Sequence, residues 1–120
     1  MIEGIVSNNR PLIGLIVGSK LGVQEIVALV DTGFTGELKM SSEKATELGL
    51  QITHTERVML GDEKTIDMHA SLVWVSMEGT ANVVNVLIAR GMPIIGVSLL
   101  RRFGYTLNIN FKHDLLFLQK

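Results

Sequence analysis

The feature that most constrains this chain is a succession of short strand-like segments separated by turn residues. Segments rich in Val, Ile, Leu and Thr recur along the whole length, and Gly, Asn, Asp and Pro stand between them, which is typical of β-strands. The predicted strands cover residues 2–7, 12–18, 23–30, 50–60, 64–77, 81–89, 105–111 and 115–119. Since 120 residues fit one domain and nothing divides the chain, we expect one all-β domain over residues 1–120, built as a small closed barrel.

Two segments depart from the strand pattern and predict one or two short helices. "SSEKATELG" (41–49) begins with serine, carries Glu43 in its first turn and ends at Gly49; "VSLLRRFG" (97–104) repeats the design and ends at Gly104. Each follows an apolar strand, a glycine turn and a short apolar segment, which indicates a duplicated strand-turn-helix unit. Only the first copy carries an acidic residue, Asp31, where the strand ends.

Composition and charge exclude several classes of partner. The net charge is −1 and the basic residues are scattered, so we expect neither nucleic acid nor a membrane surface as partner; the adjacent Arg101 and Arg102 are interpreted as a solvated helix face. The chain has no cysteine, which removes disulfides, thiolate nucleophiles and cysteine-based zinc sites. There is no signal-peptide pattern and no apolar run long enough to span a bilayer, so we expect a cytoplasmic protein. The hydrophobic share of 47% suggests that some apolar surface closes against a second subunit.

The stretch "IVALVDTGFTGEL" (26–38) carries the main candidate for chemistry. A carboxylate at the end of a buried strand is costly to desolvate unless something stabilises or uses its charge. Thr32 can donate a hydroxyl hydrogen bond, and Gly33 has no side chain to block a close approach. From these residues alone, a structural turn in which Asp31 caps nearby amides is as consistent as a catalytic site.

Other candidate sites have weaker support. "DTGFTG" also fits the Asp-x-Gly-x-Thr phosphate turn of actin-like and sugar kinases, but that fold needs two large lobes. His54, His69 and His113 lack the paired spacing of metal sites and are interpreted as structural. No glycine-rich phosphate loop is present. We therefore expect no metal and no cofactor.

Three anchors together resemble the retropepsin-like (clan AA) aspartic proteases, the homodimeric relatives of pepsin, from Val23 to Leu116. They are "ALVDTGFTG" for the catalytic turn, "VMLGDEKTIDM" for the hairpin that forms the family's flap, and "PIIGVSLLRRFGYTLNI" for its apolar-apolar-Gly motif and C-terminal helix. Phe34 directly after Gly33 is similar to a prokaryotic Asp-Thr-Gly-Phe branch.

The resemblance implies an aspartic endopeptidase that acts on an extended peptide or protein substrate. Asp31 from each of two subunits would form the acid-base pair, Thr32 would join the two turns, and Gly33 would leave room for the peptide bond. One Asp turn per chain therefore implies a homodimer. The substrate-binding positions that the resemblance implies are Thr35, Gly36, Leu60, Gly61, Asp62, Ile94 and Ile95. Met59, Leu60, Ile66 and Met68 would give the hairpin an apolar inner lining.

Two departures from the retroviral pattern leave an alternative open. Retroviral members pair an acidic residue with an arginine at the positions of Thr35 and Val97, so dimer contacts here are expected elsewhere, in the strand at 115–119 or the N-terminus. Their flap tip has several glycines, and this one has only Gly61. The alternative is a non-catalytic peptide-binding or dimerisation module, and the hairpin itself could be an ordinary polar turn.

Overall fold

The computed structural model describes all 120 residues, which form ten strands and two short helices. The strands are β1 Ile2–Ser7, β2 Arg10–Ser19, β3 Gly22–Val30, β4 Leu38–Met40, β5 His54–Met59, β6 Thr65–Met77, β7 Thr80–Ile88, β8 Ile94–Ile95, β9 Thr106–Asn110 and β10 Leu115–Gln119. The helices are α1 Ser42–Glu47 and α2 Val97–Phe103. All eight predicted strands are present, and both predicted helices form. The short strands β4 and β8 were not predicted as strands.

Pairing of β2 with β6 closes the sheet into the expected barrel. The strand order is β5-β6-β7-β4-β8-β3-β2-β1-β10-β9, and β6 also pairs with β2. The second half of β2 makes this contact through Ile16↔Ser76, Val17↔Val75 and Gly18↔Trp74. Six strands therefore form the closed ring, while β5 extends from one side of it and β1, β10 and β9 from the other.

The two copies of the strand-turn-helix unit interlock at the centre of the sheet. The first copy runs β3, turn, β4, α1, and the second runs β7, turn, β8, α2. β3 pairs in parallel with β8, β7 pairs in parallel with β4, and β4 and β8 pair antiparallel between them. Because the copies cross in this way, the turn after β3 lies against the segment that joins β8 to α2.

The predicted helix signals define the ends of both helices. Ser41 is the N-cap of α1, and its side-chain oxygen accepts a hydrogen bond of 3.1 Å from the backbone N–H of Lys44. Gly104 ends α2 in the left-handed conformation, with φ of 77°, where a side chain would be strained. α2 buries Leu99, Leu100 and Phe103 against the barrel.

The barrel interior is filled by alternating residues of the ring strands. Ile13, Leu15 and Val17 of β2 are at most 2% exposed, and their neighbours along the strand face outward. β5 begins at His54 instead of residue 50, and Thr53 is held to β6 by a hydrogen bond from its N–H to the carbonyl of Ala70. None of the helices has the length and apolar character needed to cross a membrane.

Candidate active site

Asp31 lies at the point where β3 leaves the barrel. Val30 before it is 4% exposed, and the N–H of Asp31 donates to the carbonyl of Ile95 in β8 over 3.0 Å. The Asp31 residue itself is half-buried. The Asp31 carboxylate is therefore only partly desolvated within one chain, and not fully buried as the strand before it suggested.

The Asp-Thr-Gly turn is held by its own acidic side chain. The N–H of Gly33 donates to Oδ1 of Asp31 over 2.8 Å, and the N–H of Phe34 donates to the Asp31 carbonyl over 3.1 Å. A Cβ at residue 33 would lie 3.1 Å from Oδ1, so glycine keeps the carboxylate uncrowded. Thr32 is exposed. Asp31 therefore caps a backbone amide of its own turn, as the structural interpretation predicted. This hydrogen bond orients Oδ1, whereas Oδ2 of Asp31 makes no hydrogen bond within the chain.

A second loop approaches the turn so closely that it requires glycine. The N–H of Val97 donates to the Phe34 carbonyl over 3.0 Å, and the N–H of Gly96 donates to the Glu37 carbonyl over 3.1 Å. A Cβ on Gly96 would lie 2.3 Å from the Gly36 carbonyl oxygen and 2.4 Å from that of Phe34. The glycine of the apolar-apolar-Gly motif therefore allows this close contact between the two strand-turn-helix units of the chain.

The positions of the retroviral ion pair, Thr35 and Val97, lie in this contact without charge. The Ser98 hydroxyl next to Val97 donates to the Thr35 carbonyl. Thr35 is exposed and Gly36 is half-buried, and both directly follow the Asp-Thr-Gly turn.

An ion pair that was not anticipated joins the same loop to α2. Arg102 Nε lies 2.6 Å from Glu37 Oε2, and its Nη2 donates a hydrogen bond to Oε1 over 3.0 Å. The Glu37 side chain is only 13% exposed. Arg101 and Arg102 are both exposed, as expected for a solvated helix face. The interpretation was incomplete for Arg102, because its side chain also pairs with Glu37.

The two isoleucines of β8 differ in their access to the surface. Ile94 is half-buried, whereas Ile95 is 0% exposed and belongs to the hydrophobic core. A side chain enclosed in the core has no surface for a peptide. The expectation that the Ile95 side chain contacts a peptide was therefore wrong, and the expectation for Ile94 stays a prediction.

The β5–β6 hairpin is present where the flap was expected, with its tip at residues 60–64. Leu60 N–H donates to the Lys64 carbonyl over 2.8 Å, and Asp62 Oδ1 accepts from the Lys64 N–H over 3.2 Å. Glu63 adopts a positive φ of 67°. Leu60, Gly61 and Asp62 are all exposed, so the tip projects into solvent and its contact with the Asp31 turn is not made within one chain.

The pairing register of β5 with β6 shows that the residues expected to line the inner face of the hairpin lie on two different faces. Val58 pairs with Ile66 and Glu56 with Met68, so these four share one face, whereas Met59 pairs with Thr65 on the opposite face. Glu56 lines a polar pocket together with Gly36 of the loop that follows the Asp31 turn. The face that carries Val58, Ile66 and Met68 is therefore the inner one, and the expectation for Met59 was wrong.

The polar pocket at the base of the hairpin has a volume of about 480 Å³, and no hydrophobic residue lines it. Asn85 on its wall accepts a hydrogen bond of 2.8 Å from His54 Nε2, and its backbone N–H points to Glu37 Oε1 at 3.3 Å. His, Asp and Glu side chains nowhere form a group of three that could hold a metal ion.

Comparison with solved structures shows that the chain has the retropepsin-like fold. It superposes on the crystal structure of a retropepsin-like aspartic protease from Rickettsia conorii with a TM-score of 0.65 and 21% identity, over 98% of this chain and 87% of that one. It also superposes on EIAV protease in complex with the inhibitor HBY-793, with a TM-score of 0.62 and 16% identity, over 85% of this chain and 95% of that one. No protein-family profile and no curated protein sequence matches the chain.

Proposed function

We propose that this chain is an aspartic endopeptidase that becomes active as a homodimer, with all 120 residues forming its single protease domain. The observation that carries the proposal is the position of Asp31. It leaves a buried strand in a retropepsin-like fold, in an Asp-Thr-Gly turn braced by Gly96, and one of its carboxylate oxygens has no hydrogen bond within the chain.

Peptide hydrolysis then follows from two Asp31 carboxylates placed side by side. Two such groups in contact cannot both ionise, so they share one proton. The ionised Asp31 removes a proton from a bound water, and the protonated Asp31 donates a hydrogen bond to the scissile carbonyl. The water oxygen adds to the carbonyl carbon, and the carbonyl oxygen takes the proton of the protonated Asp31. The C–N bond of the tetrahedral adduct then breaks as the leaving nitrogen takes up the proton that the other Asp31 removed from water, and a hydroxyl proton of the adduct returns to the Asp31 pair as the carboxylic acid forms. No covalent bond to the protein forms.

The remaining candidate residues receive roles around this centre. Thr32, which is exposed, would contact the partner turn, and Gly33 would admit the peptide bond. Thr35, Gly36 and Ile94 would contact the peptide from below, while the hairpin would cover it with Leu60, Gly61 and Asp62 at the tip. An extended peptide suits such a cleft because its backbone can add to neighbouring strands.

Replacing Asp31 by Asn tests the proposal directly. We expect Asp31→Asn to abolish hydrolysis of a peptide library while the circular dichroism spectrum and the sedimentation behaviour stay those of the wild type. Asp114→Asn, at an exposed turn with φ of 55°, is the matched control because asparagine also tolerates that conformation. Cleavage by the pure Asp31→Asn protein, or insensitivity of the wild type to a pepstatin-like transition-state mimic, would contradict the proposal.

The alternative of a non-catalytic peptide-binding or dimerisation module is supported by two features, the hairpin tip with its single glycine and the uncharged residues Thr35 and Val97 at the positions of the retroviral ion pair. It would bind extended peptides by the same strand-like contacts without turnover. Calorimetric binding of peptides that the wild-type protein never cleaves, at acidic or neutral pH, would favour the module over the enzyme.

A further inference from the structure

Phe34 is a large apolar side chain to which the proposed mechanism gives no role. It directly follows the Asp-Thr-Gly turn and is half-buried. It belongs neither to the hydrophobic core cluster nor to the partly buried residues that pack against that cluster. The phenyl ring therefore does not serve the barrel interior, and its local contacts have to account for it.

The ring of Phe34 packs against two glycines that belong to different loops. A Cβ on Gly36 would lie 2.5 Å from Cζ of the ring and 2.7 Å from Cε1, and a Cβ on Gly96 would lie 2.7 Å from Cδ2. The three heavy atoms nearest to such a Cβ on Gly36 all belong to this ring. One side chain therefore contacts both strand-turn-helix units, and the contact is possible because both partners lack a side chain.

The backbone of Phe34 joins the same two loops. Its N–H donates to the Asp31 carbonyl over 3.1 Å, and its carbonyl accepts from the Val97 N–H over 3.0 Å. The Asp31 carboxylate is held within this turn, because its Oδ1 accepts from the Gly33 N–H. A displacement of Phe34 would therefore also displace the carboxylate that the mechanism uses.

A cation lies near the same ring. Nζ of Lys39 lies 5.7 Å from the ring centroid, which is within the range of a cation–π interaction. Lys39 belongs to β4 and pairs with Ile94 of β8. The ring is thus held both by the two loops and by the short strand that lies beside them.

We propose that Phe34 is a positioning residue, whose ring fixes the Asp-Thr-Gly turn against the loop before α2 and so orients the Asp31 carboxylate. The proposal rests on the proposed function, because two carboxylates that share one proton need a fixed geometry. Thr35 and Val97 bear no charge, so no ion pair between these two positions braces the two loops. The packing of one ring on two glycines supplies that bracing.

Truncation of the ring tests the positioning role. Phe34→Ala should lower kcat for a peptide substrate about 10- to 100-fold, because a shift of about 1 Å in a catalytic group has an effect of that size. KM should change less than about twofold, and Phe34→Leu, which keeps most of the apolar volume, should recover most of the lost kcat. Leu50→Ala is the matched control, since Leu50 is also half-buried but packs against the core after α1. It should lower the urea midpoint and leave kcat unchanged.

A double-mutant cycle tests the contact between the ring and Gly36. Gly36→Ala places a methyl group against the ring and should lower kcat about tenfold in the wild-type background. In the Phe34→Ala background the methyl group has room, so Gly36→Ala should lower kcat less than about twofold further. Urea midpoints of the same four proteins measure this coupling without any substrate.

Amide hydrogen exchange separates this proposal from the proposed function. The Val97 N–H, which donates to the Phe34 carbonyl, should exchange at least about tenfold faster in Phe34→Ala than in Leu50→Ala. If the wild type cleaves no peptide, the proposed function fails, and faster exchange at Val97 with non-additive urea midpoints still upholds the bracing of the turn. Equal exchange in the two variants, additive midpoints, or an equal loss of kcat in Phe34→Ala and Leu50→Ala would each overturn the role of Phe34.

Discussion

At the scale of single residues, Gly96 shows how the fold holds its candidate catalytic turn. Its φ of −112° is accessible to any residue, so the requirement for glycine is steric and not conformational. The atoms that a Cβ would meet are backbone carbonyl oxygens of Phe34 and Gly36. Backbone of that kind cannot rotate out of the way, so the two loops would have to separate.

We expect Gly96→Ala to lower the free energy of unfolding by about 2 kcal/mol, because the loops must move apart to admit a methyl group. Urea unfolding followed by circular dichroism measures the change. Gly18→Ala is the control, since a Cβ there would lie 3.5 Å from the nearest heavy atom, the Trp74 Cβ, which is an ordinary contact. Equal stability of the Gly96→Ala protein and the wild type would show that the loops are not braced in this way.

Single residues also show what the sequence could and could not predict about the site. The Asp-Thr-Gly turn and Gly96 are local signals, because a strand end followed by glycine can be recognised within a few residues. The pair between Glu37 and Arg102 joins residues 65 apart in sequence, and only the crossing of the two copies brings them together. Burial of Ile95 beside the half-buried Ile94 likewise depends on which face of β8 meets the core.

At the scale of secondary-structure elements, the Glu37–Arg102 pair connects α2 to the loop after the Asp31 turn. We expect Arg102→Met to lower the free energy of unfolding by about 1–2 kcal/mol, because it leaves a carboxylate with little solvent access and no counter-charge. Arg101→Met, one position earlier in the same helix and without an ion pair, should change stability much less. Denaturant midpoints compare the variants, and equal losses would mean that the pair contributes nothing specific.

The β5–β6 hairpin supports a prediction about its two faces. Ile66, 43% exposed, lies on the inner face, whereas Met59, 70% exposed, lies on the outer one. We expect Ile66→Ser to reduce kcat/KM for an apolar peptide about tenfold, since losing roughly 1.4 kcal/mol of apolar contact has that effect. Met59→Ser should leave kcat/KM close to the wild-type value.

Steady-state kinetics on the same peptide measures both hairpin variants. A larger loss for Met59→Ser than for Ile66→Ser would show that the hairpin closes with its other face toward the peptide, and would overturn the assignment of faces.

The elements themselves were predictable to the extent that their signals are local. Long strands with alternating residues and helices with capping residues were recognisable, but β4 and β8 have only three and two residues. They are strands because β4 pairs with β7 and β8 pairs with β3, each in the other strand-turn-helix unit. Two or three residues are too few to show the alternation of apolar and polar residues that predicts a strand. The sequence could not predict on which face of the hairpin Met59 lies, because a shift of the strand register by one residue exchanges the two faces.

At the scale of the whole molecule, the proposed function requires two chains, because one chain carries a single Asp31 in an Asp-Thr-Gly turn. The barrel, the Asp-Thr-Gly turn and the hairpin all form within one chain, and Thr32 of the turn is exposed. β9 ends the sheet with an unprotected edge beside that turn.

Mixing wild-type and Asp31→Asn chains tests most directly whether two Asp31 side chains are needed for activity. A hybrid dimer has one carboxylate and should be inactive, so an equimolar mixture should lower activity to about half per wild-type chain, because half of those chains then have a variant partner. The peptide hydrolysis rate at fixed wild-type concentration, with increasing amounts of the variant, is the quantity to measure. A rate that does not fall as the variant is added would contradict a catalytic centre shared between two chains.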